Sequence, residues 1–196
     1  AADMQEAVIL LHDFSFTPAE KLLADLTGGH SHGMMDHGDM DGMERDMGSM
    51  DMNTMDMGDM KMPMDLNDID YDAYLANDRT LDDPETVAVE KGGWVKLRII
   101  NAAAASNKWI DFGSMEGELV AVDGHAVYPL KARAFPLAIA QRADIRLQIP
   151  PAGGAFPVFF HPEGVGMRTG IVLATPGAGI GKLEEQAPPP PAINLA

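Results

Sequence analysis

The residues best suited to chemistry crowd into one stretch. Twelve of the chain's fifteen methionines lie there: Met34, Met35, Met40, Met43, Met47, Met50, Met52, Met55, Met57, Met60, Met62 and Met64. Aspartates and glycines separate them, and His30, His32 and His37 stand at the upstream end. A hydrophobic core has no use for a methionine every few residues with aspartate in between. A thioether is a neutral, polarizable, soft ligand. Soft ligands select Cu(I) among biological metals, and imidazole suits Cu(II) as well. The set is therefore read as a copper-capture tract. Asp36, Asp39, Asp41, Asp46, Asp51, Asp56 and Asp59 are hard donors that suit Cu(I) poorly, but their charge concentrates cations and favours solubility. The competing reading is a solvating acidic loop. Aspartate and glycine fit it; so dense a run of oxidizable thioethers does not.

Something must carry that tract. Setting it aside leaves about 150 residues, one ordinary domain with room for a core. The formal charge is −16, with 30 acidic residues against 14 basic ones. Nucleic acid and anionic membrane surfaces both need a basic footprint, so neither is an expected partner; cations are. There is no cysteine. That excludes disulfides, thiolate zinc sites, iron–sulfur clusters, a cysteine nucleophile and a blue-copper centre. No apolar run is long enough to span a bilayer as a helix. The chain begins Ala1-Ala2-Asp3, and the expectation is a processed product or a piece of a longer protein.

The elements follow from the apolar pattern. Residues 7–11 read as a buried strand. Thr17-Pro18-Ala19-Glu20 reads as a helix start with Thr17 as cap, and the helix should run to about Leu26 and stop at Gly28-Gly29. Residues 30–66 are low-complexity: glycines oppose a helix, and few large apolar residues other than methionine are present to offset ordering entropy. Closing such a loop costs only about 1 kcal/mol more than closing a ten-residue one, so a folded domain can host it as an insertion.

Beyond residue 85 the pattern is strands and turns. Strands are expected at 86–90, 94–101, 109–112, 118–122, 135–140, 144–149, 158–161 and 169–174. Turn signals at Gly113, Asp123-Gly124, Pro150-Pro151 and Gly153-Gly154 separate them. Short strands at this spacing imply an antiparallel sandwich or barrel. Pro188 to Pro191 read as a stiff extended linker. The expected divisions are 1–29 (first strand and short helix), 30–66 (insertion), 67–176 (remainder of the sandwich) and 177–196 (linker).

Five segments carry a resemblance: Leu10-Leu11-His12-Asp13-Phe14-Ser15-Phe16-Thr17-Pro18, Val95 to Ala102, Leu119-Val120-Ala121-Val122-Asp123-Gly124, Gln141-Arg142-Ala143-Asp144-Ile145, and Arg168 to Leu173. In that order and spacing the chain is similar to the middle cupredoxin-like domain of bacterial three-domain multicopper oxidases. The tract resembles the methionine-rich insertions of copper-tolerance members, which bind cuprous ions. The resemblance implies an all-β, cupredoxin-like antiparallel β-sandwich with one short helix, located in the periplasm. It also implies that the parent's copper centres lie outside this chain, because the family holds them with His-x-His pairs and a His-Cys-His run. Here there is one His-x-His, His30-Ser31-His32, on flexible-looking glycine-rich sequence. That pair is read as part of the capture site, not of a trinuclear centre.

Other candidates have bland readings. In copper-bearing cupredoxins the loop between the last two strands carries Cys, His and Met ligands. Here that loop holds His161 and Met167 without the thiolate, so both are read as structural remnants. His12 and His125 are read as structural. Arg142 and Asp144 are read as an ion pair. No nucleophile elbow and no dinucleotide fingerprint is present.

The expected function is a domain of an oxidase that oxidizes cuprous ions or phenols and reduces oxygen, this chain supplying scaffold and Cu(I) capture. A free-standing copper carrier or store, and a metal-free structural module, are the alternatives. The expected partners are copper ions and neighbouring cupredoxin domains of the parent, with self-association through bare interdomain faces.

Overall fold

The computed structural model describes residues 4–28 and 69–191. The chain divides into two compact units, residues 17–65 and the remainder. Within the first, the described part is α1 (Ala19–Gly28). Lys21 and Leu22 both donate their amides to the Pro18 carbonyl, at 3.0 and 3.1 Å, so Pro18 takes the cap position expected of Thr17. The helix stops at the expected Gly28.

The second unit is a sandwich of two sheets. Its strands are β1 (Gln5–Phe14), β2 (Ala73–Ala76), β3 (Thr86–Ala88), β4 (Trp94–Asn101), β5 (Lys108–Asp111), β6 (Gly117–Val122), β7 (His125–Ala132), β8 (Ala134–Leu137), β9 (Arg142–Gln148), β10 (Ala155–Pro162) and β11 (Thr169–Ala174). One sheet has the order β2-β1-β4-β9-β6-β7 and the other β3-β11-β10-β5-β8. Alternation builds the core. Val95, Leu97 and Ile99 of β4 and Ala143, Ile145 and Leu147 of β9 point inward, against Ile110, Val158, Phe160, Ile171 and Leu173 of the facing sheet. Each large side chain so buried contributes about 1.5–3 kcal/mol by removing apolar surface from water.

The all-β sandwich with one short helix is the expected architecture. Two of its ladders, β1 with β4 and β3 with β11, are parallel, where an antiparallel sandwich was expected. Parallel pairing needs a long connection, and the chain makes long excursions between both pairs.

Two strands escaped the sequence pattern. β2 has four residues, too few to show a period. β7 carries Pro129 and is solvent-exposed along nearly its whole length, so it has no buried face to betray it. It is joined to β6 by Asp123 and Gly124, both at positive φ (49° and 80°), the backbone that a two-residue hairpin turn requires.

The segment expected as a stiff extended linker hydrogen-bonds to the sandwich as far as it is described. Arg168 N–H donates to the Glu185 carbonyl at 2.8 Å and Ala187 N–H to Gly166 at 3.0 Å, forming an antiparallel bridge between Met167 and Gln186.

Candidate metal centre

His30, His32, Met34, Met35, His37, Met40, Met43, Met47, Met50, Met52, Met55, Met57, Met60, Met62 and Met64 lie outside the described residues. What the structure places is the rest of the chain's histidine and methionine.

His12, on β1, has Nε2 2.9 Å from Asp78 Oδ1. Asp78 and Asn77 occupy a positive-φ turn, and Asn77 is braced on β1 by accepting from Leu10 N–H at 2.7 Å and donating to the Val8 carbonyl at 2.9 Å. His125 opens β7 at the hairpin turn, exposed, with Nδ1 3.1 Å from the Asp123 carbonyl. His161, on β10, is the most enclosed: its side chain is 12 % exposed, with Nε2 3.5 Å from Asp111 Oδ2. Burial holds this imidazole below its ordinary pKa; Asp111 pulls it partly back, and Arg168 adds to the lowering. Met115 is core, Met167 is half-buried in the bridge to Gln186, and Met4 is exposed. Among the described residues no group of three or more histidine, cysteine, aspartate or glutamate side chains could hold a metal. The strands thus scatter the possible ligands instead of gathering them.

Charge is gathered elsewhere. At the end of β1, Asp13 points into the sandwich and meets Lys108 at the start of β5 in the other sheet. Both side chains are fully buried, with Nζ 2.7 Å from Oδ1. Ser106 Oγ donates to the same oxygen at 2.7 Å, and the Ala105 amide reaches Oδ2 at 3.2 Å. Lys108 Nζ also lies 4.3 Å from the centre of the Tyr74 ring. Burial pushes the lysine's pKa down, and Asp13 opposes it. The Tyr74 hydroxyl is pushed up to about 12, by burial first and then by the Asp13 charge. Beside this pair, buried Asn101 donates to the Ser106 and Leu137 carbonyls at 3.0 and 3.2 Å and accepts from Ala103 N–H at 3.2 Å. These contacts hold together the sandwich end where β1 and β5 meet. Lys108 precedes an apolar strand and Asp13 follows one, and nothing in either neighbourhood names its partner ninety-five residues away.

The expected Arg142–Asp144 pair is not formed as such. Asp144 lies 3.8 Å from Arg98, its directly opposite residue on β4, and Arg142 donates its backbone N–H to Asp123. Opposite residues on neighbouring strands approach more closely than positions i and i+2 on one strand.

Residues 5–185 match the family model described as multicopper oxidase. The chain belongs to the multicopper oxidase family. It is 31% identical over 115 residues to the multicopper oxidase MmcO of Mycobacterium tuberculosis (strain ATCC 25618 / H37Rv), a match that covers 59% of this chain and 22% of that protein. Its fold is similar to that of Fet3p, described as a multicopper oxidase that functions in iron import (TM-score 0.63, 11% identity, 92% of this chain and 30% of that one). It is also similar to the laccase from Botrytis aclada (TM-score 0.61, 12% identity, 95% and 32%). The chain thus spans about a third or less of the length of these relatives. The fold is cupredoxin-like, and membership implies copper as the family's cofactor. The described residues of the sandwich do not fit a resident copper centre: the sequence has no thiolate, and among the described residues His161 has Asp111 beside it but belongs to no group of three or more histidine, aspartate or glutamate side chains that could hold a metal.

Proposed function

We propose that this chain is the middle cupredoxin-like domain of a periplasmic multicopper oxidase of the copper-tolerance type, and that residues 30–66 are a methionine-rich insertion that captures Cu(I). In the whole protein, cuprous ions gathered there are oxidized at copper centres outside these residues, with oxygen as acceptor. The chain's own share is scaffold and capture, and its partners are cuprous ions and neighbouring cupredoxin domains. Self-association through faces those domains would cover is part of the same reading.

The observation that carries it is a pairing of two facts. The family match runs from residue 5 to 185, yet the sandwich inside it offers no metal-holding cluster among its described residues, while soft ligands crowd into residues 30–64. The test is Cu(I) stoichiometry against a competing chromophoric chelator, for the intact chain and for one lacking residues 30–64. Capture predicts that the intact chain takes up several equivalents and the deletion takes up none. Equal stoichiometry in the two chains would remove the capture role.

A further inference from the structure

The outer face of the five-stranded sheet carries an aromatic platform. Trp109 of β5 stands directly opposite His161 of β10. Phe159 lies two residues before His161 on the same face, its ring in edge contact with the imidazole at 6.2 Å. The Arg168 guanidinium stacks on the Phe159 ring, 3.8 Å from its centroid.

The chain's own tail lies on this platform. The Trp109 indole N–H donates to the Pro191 carbonyl at 2.9 Å. Arg168 Nε donates to the Glu184 carbonyl at 2.9 Å, and the Leu81 amide to Glu185 Oε1 at 3.2 Å. The half-buried positions are 183, 185 and 187, then 190. Period two is a strand, and it coincides with the Met167–Gln186 bridge. Residues 188–191 are four consecutive prolines, a run whose fixed φ favours a polyproline II helix. Such a helix exposes carbonyls that have no internal partner. An aromatic groove with an indole N–H aimed at one of them is a recurrent way of recognising it.

We propose that the Trp109–Phe159–Arg168 face is a recognition site for an extended proline-rich segment, and that residues 184–191 are its resident ligand. The tail is then an anchored strap and not a spacer. The stretch that in a copper-bearing relative would supply ligands, His161 to Met167, serves here as part of the seat. This proposal does not rest on copper capture, and copper takes no part in its test.

Amide exchange of the full chain by NMR tests it. The Ala187 amide and the Trp109 indole N–H should be protected. Trp109→Phe, which keeps the ring but removes the donor, and Pro190→Gly, which frees the tail's backbone, should each cut Ala187 protection about tenfold while Ile171 in β11 stays protected. Pro190→Gly leaves the sandwich sequence untouched, so a folding defect cannot mimic this result. A labelled peptide of residues 184–191 should bind the Pro190→Gly chain more tightly than the wild type, whose tail competes at high effective concentration. An Ala187 amide exchanging at the unprotected rate in the wild type, or no difference among the three chains in exchange and peptide uptake, would overturn the proposal.

Discussion

The two sheets present opposite solutions to the same problem, what to do with an outer face. The six-stranded sheet faces water with a charge ladder: Glu6 beside Lys96, Glu6 at 3.2 Å from Arg98, Arg98 at 3.8 Å from Asp144, and Arg146 beside Glu118. The five-stranded sheet cannot do this. Its strand β11 is buried at every residue, Thr169 to Ala174, so its outer face must be covered by other chain. Leu81, 2 % exposed, packs on Gly170 between β2 and β3 in sequence, and the tail covers the neighbouring surface. An outer face can be solvated or roofed. The roofed one is where a strap can be seated.

The largest expected effect comes from the one place among the described residues where an ion pair joins the two sheets. Lys108→Met leaves Asp13 buried without its cation, and breaking a buried pair in this way costs about 3–5 kcal/mol. Urea denaturation should show it, with Asp13→Leu/Lys108→Met recovering much of the loss because neither charge is then stranded. A wild-type-like midpoint for Lys108→Met would mean the pair is not buried as described.

Next comes the roof. Leu81→Ala opens a cavity over β11 and should cost about 2–4 kcal/mol by the same measurement. A comparable loss from truncating exposed Val8, on the other sheet's outer face, would erase the distinction between the faces.

The smallest effect belongs to the ladder. Hydrogen bonding to Lys96 holds the Glu6 carboxyl below its ordinary pKa, with Arg98 adding to the lowering. A depressed carboxyl stabilises the fold above its unfolded pKa and loses that contribution as pH falls through the folded one. Glu6→Gln should therefore melt slightly below wild type at neutral pH, converge with it as pH falls through the lowered Glu6 pKa, and lose its deficit in high salt.

Both kinds of face were partly legible. β4 reads Trp-Val-Lys-Leu-Arg-Ile-Ile-Asn, an alternation that announces one wet face, and its observed bounds are the expected ones. β11 reads Thr-Gly-Ile-Val-Leu-Ala, a continuous run that fits a strand buried on both sides, and it too falls where expected. The roof was not legible, because Leu81 sits in a short turn-rich stretch with no period. Nor was the strap: four prolines look the same whether they float or dock, and only Trp109 and Arg168, remote in sequence, decide it. The parallel ladders and the Asp13–Lys108 pair share that cause. Each joins distant segments, and local pattern carries no register between them. The possible metal chemistry divides the same way. Composition marked residues 30–64, and the fold shows only how His12, His125 and His161 are dispersed.

The central claim is that metal chemistry in this chain belongs to the tract and not to the sandwich. Methionine-methyl NMR during titration with Ag(I), a redox-silent stand-in for Cu(I), reads both at once. Fifteen methionines report, twelve in the tract and three, Met4, Met115 and Met167, outside it. The account predicts that the tract methyls shift while Met115, Met167 and the His161 ring stay where they are. Shifts at Met167 and His161 with the tract methyls unmoved would contradict it.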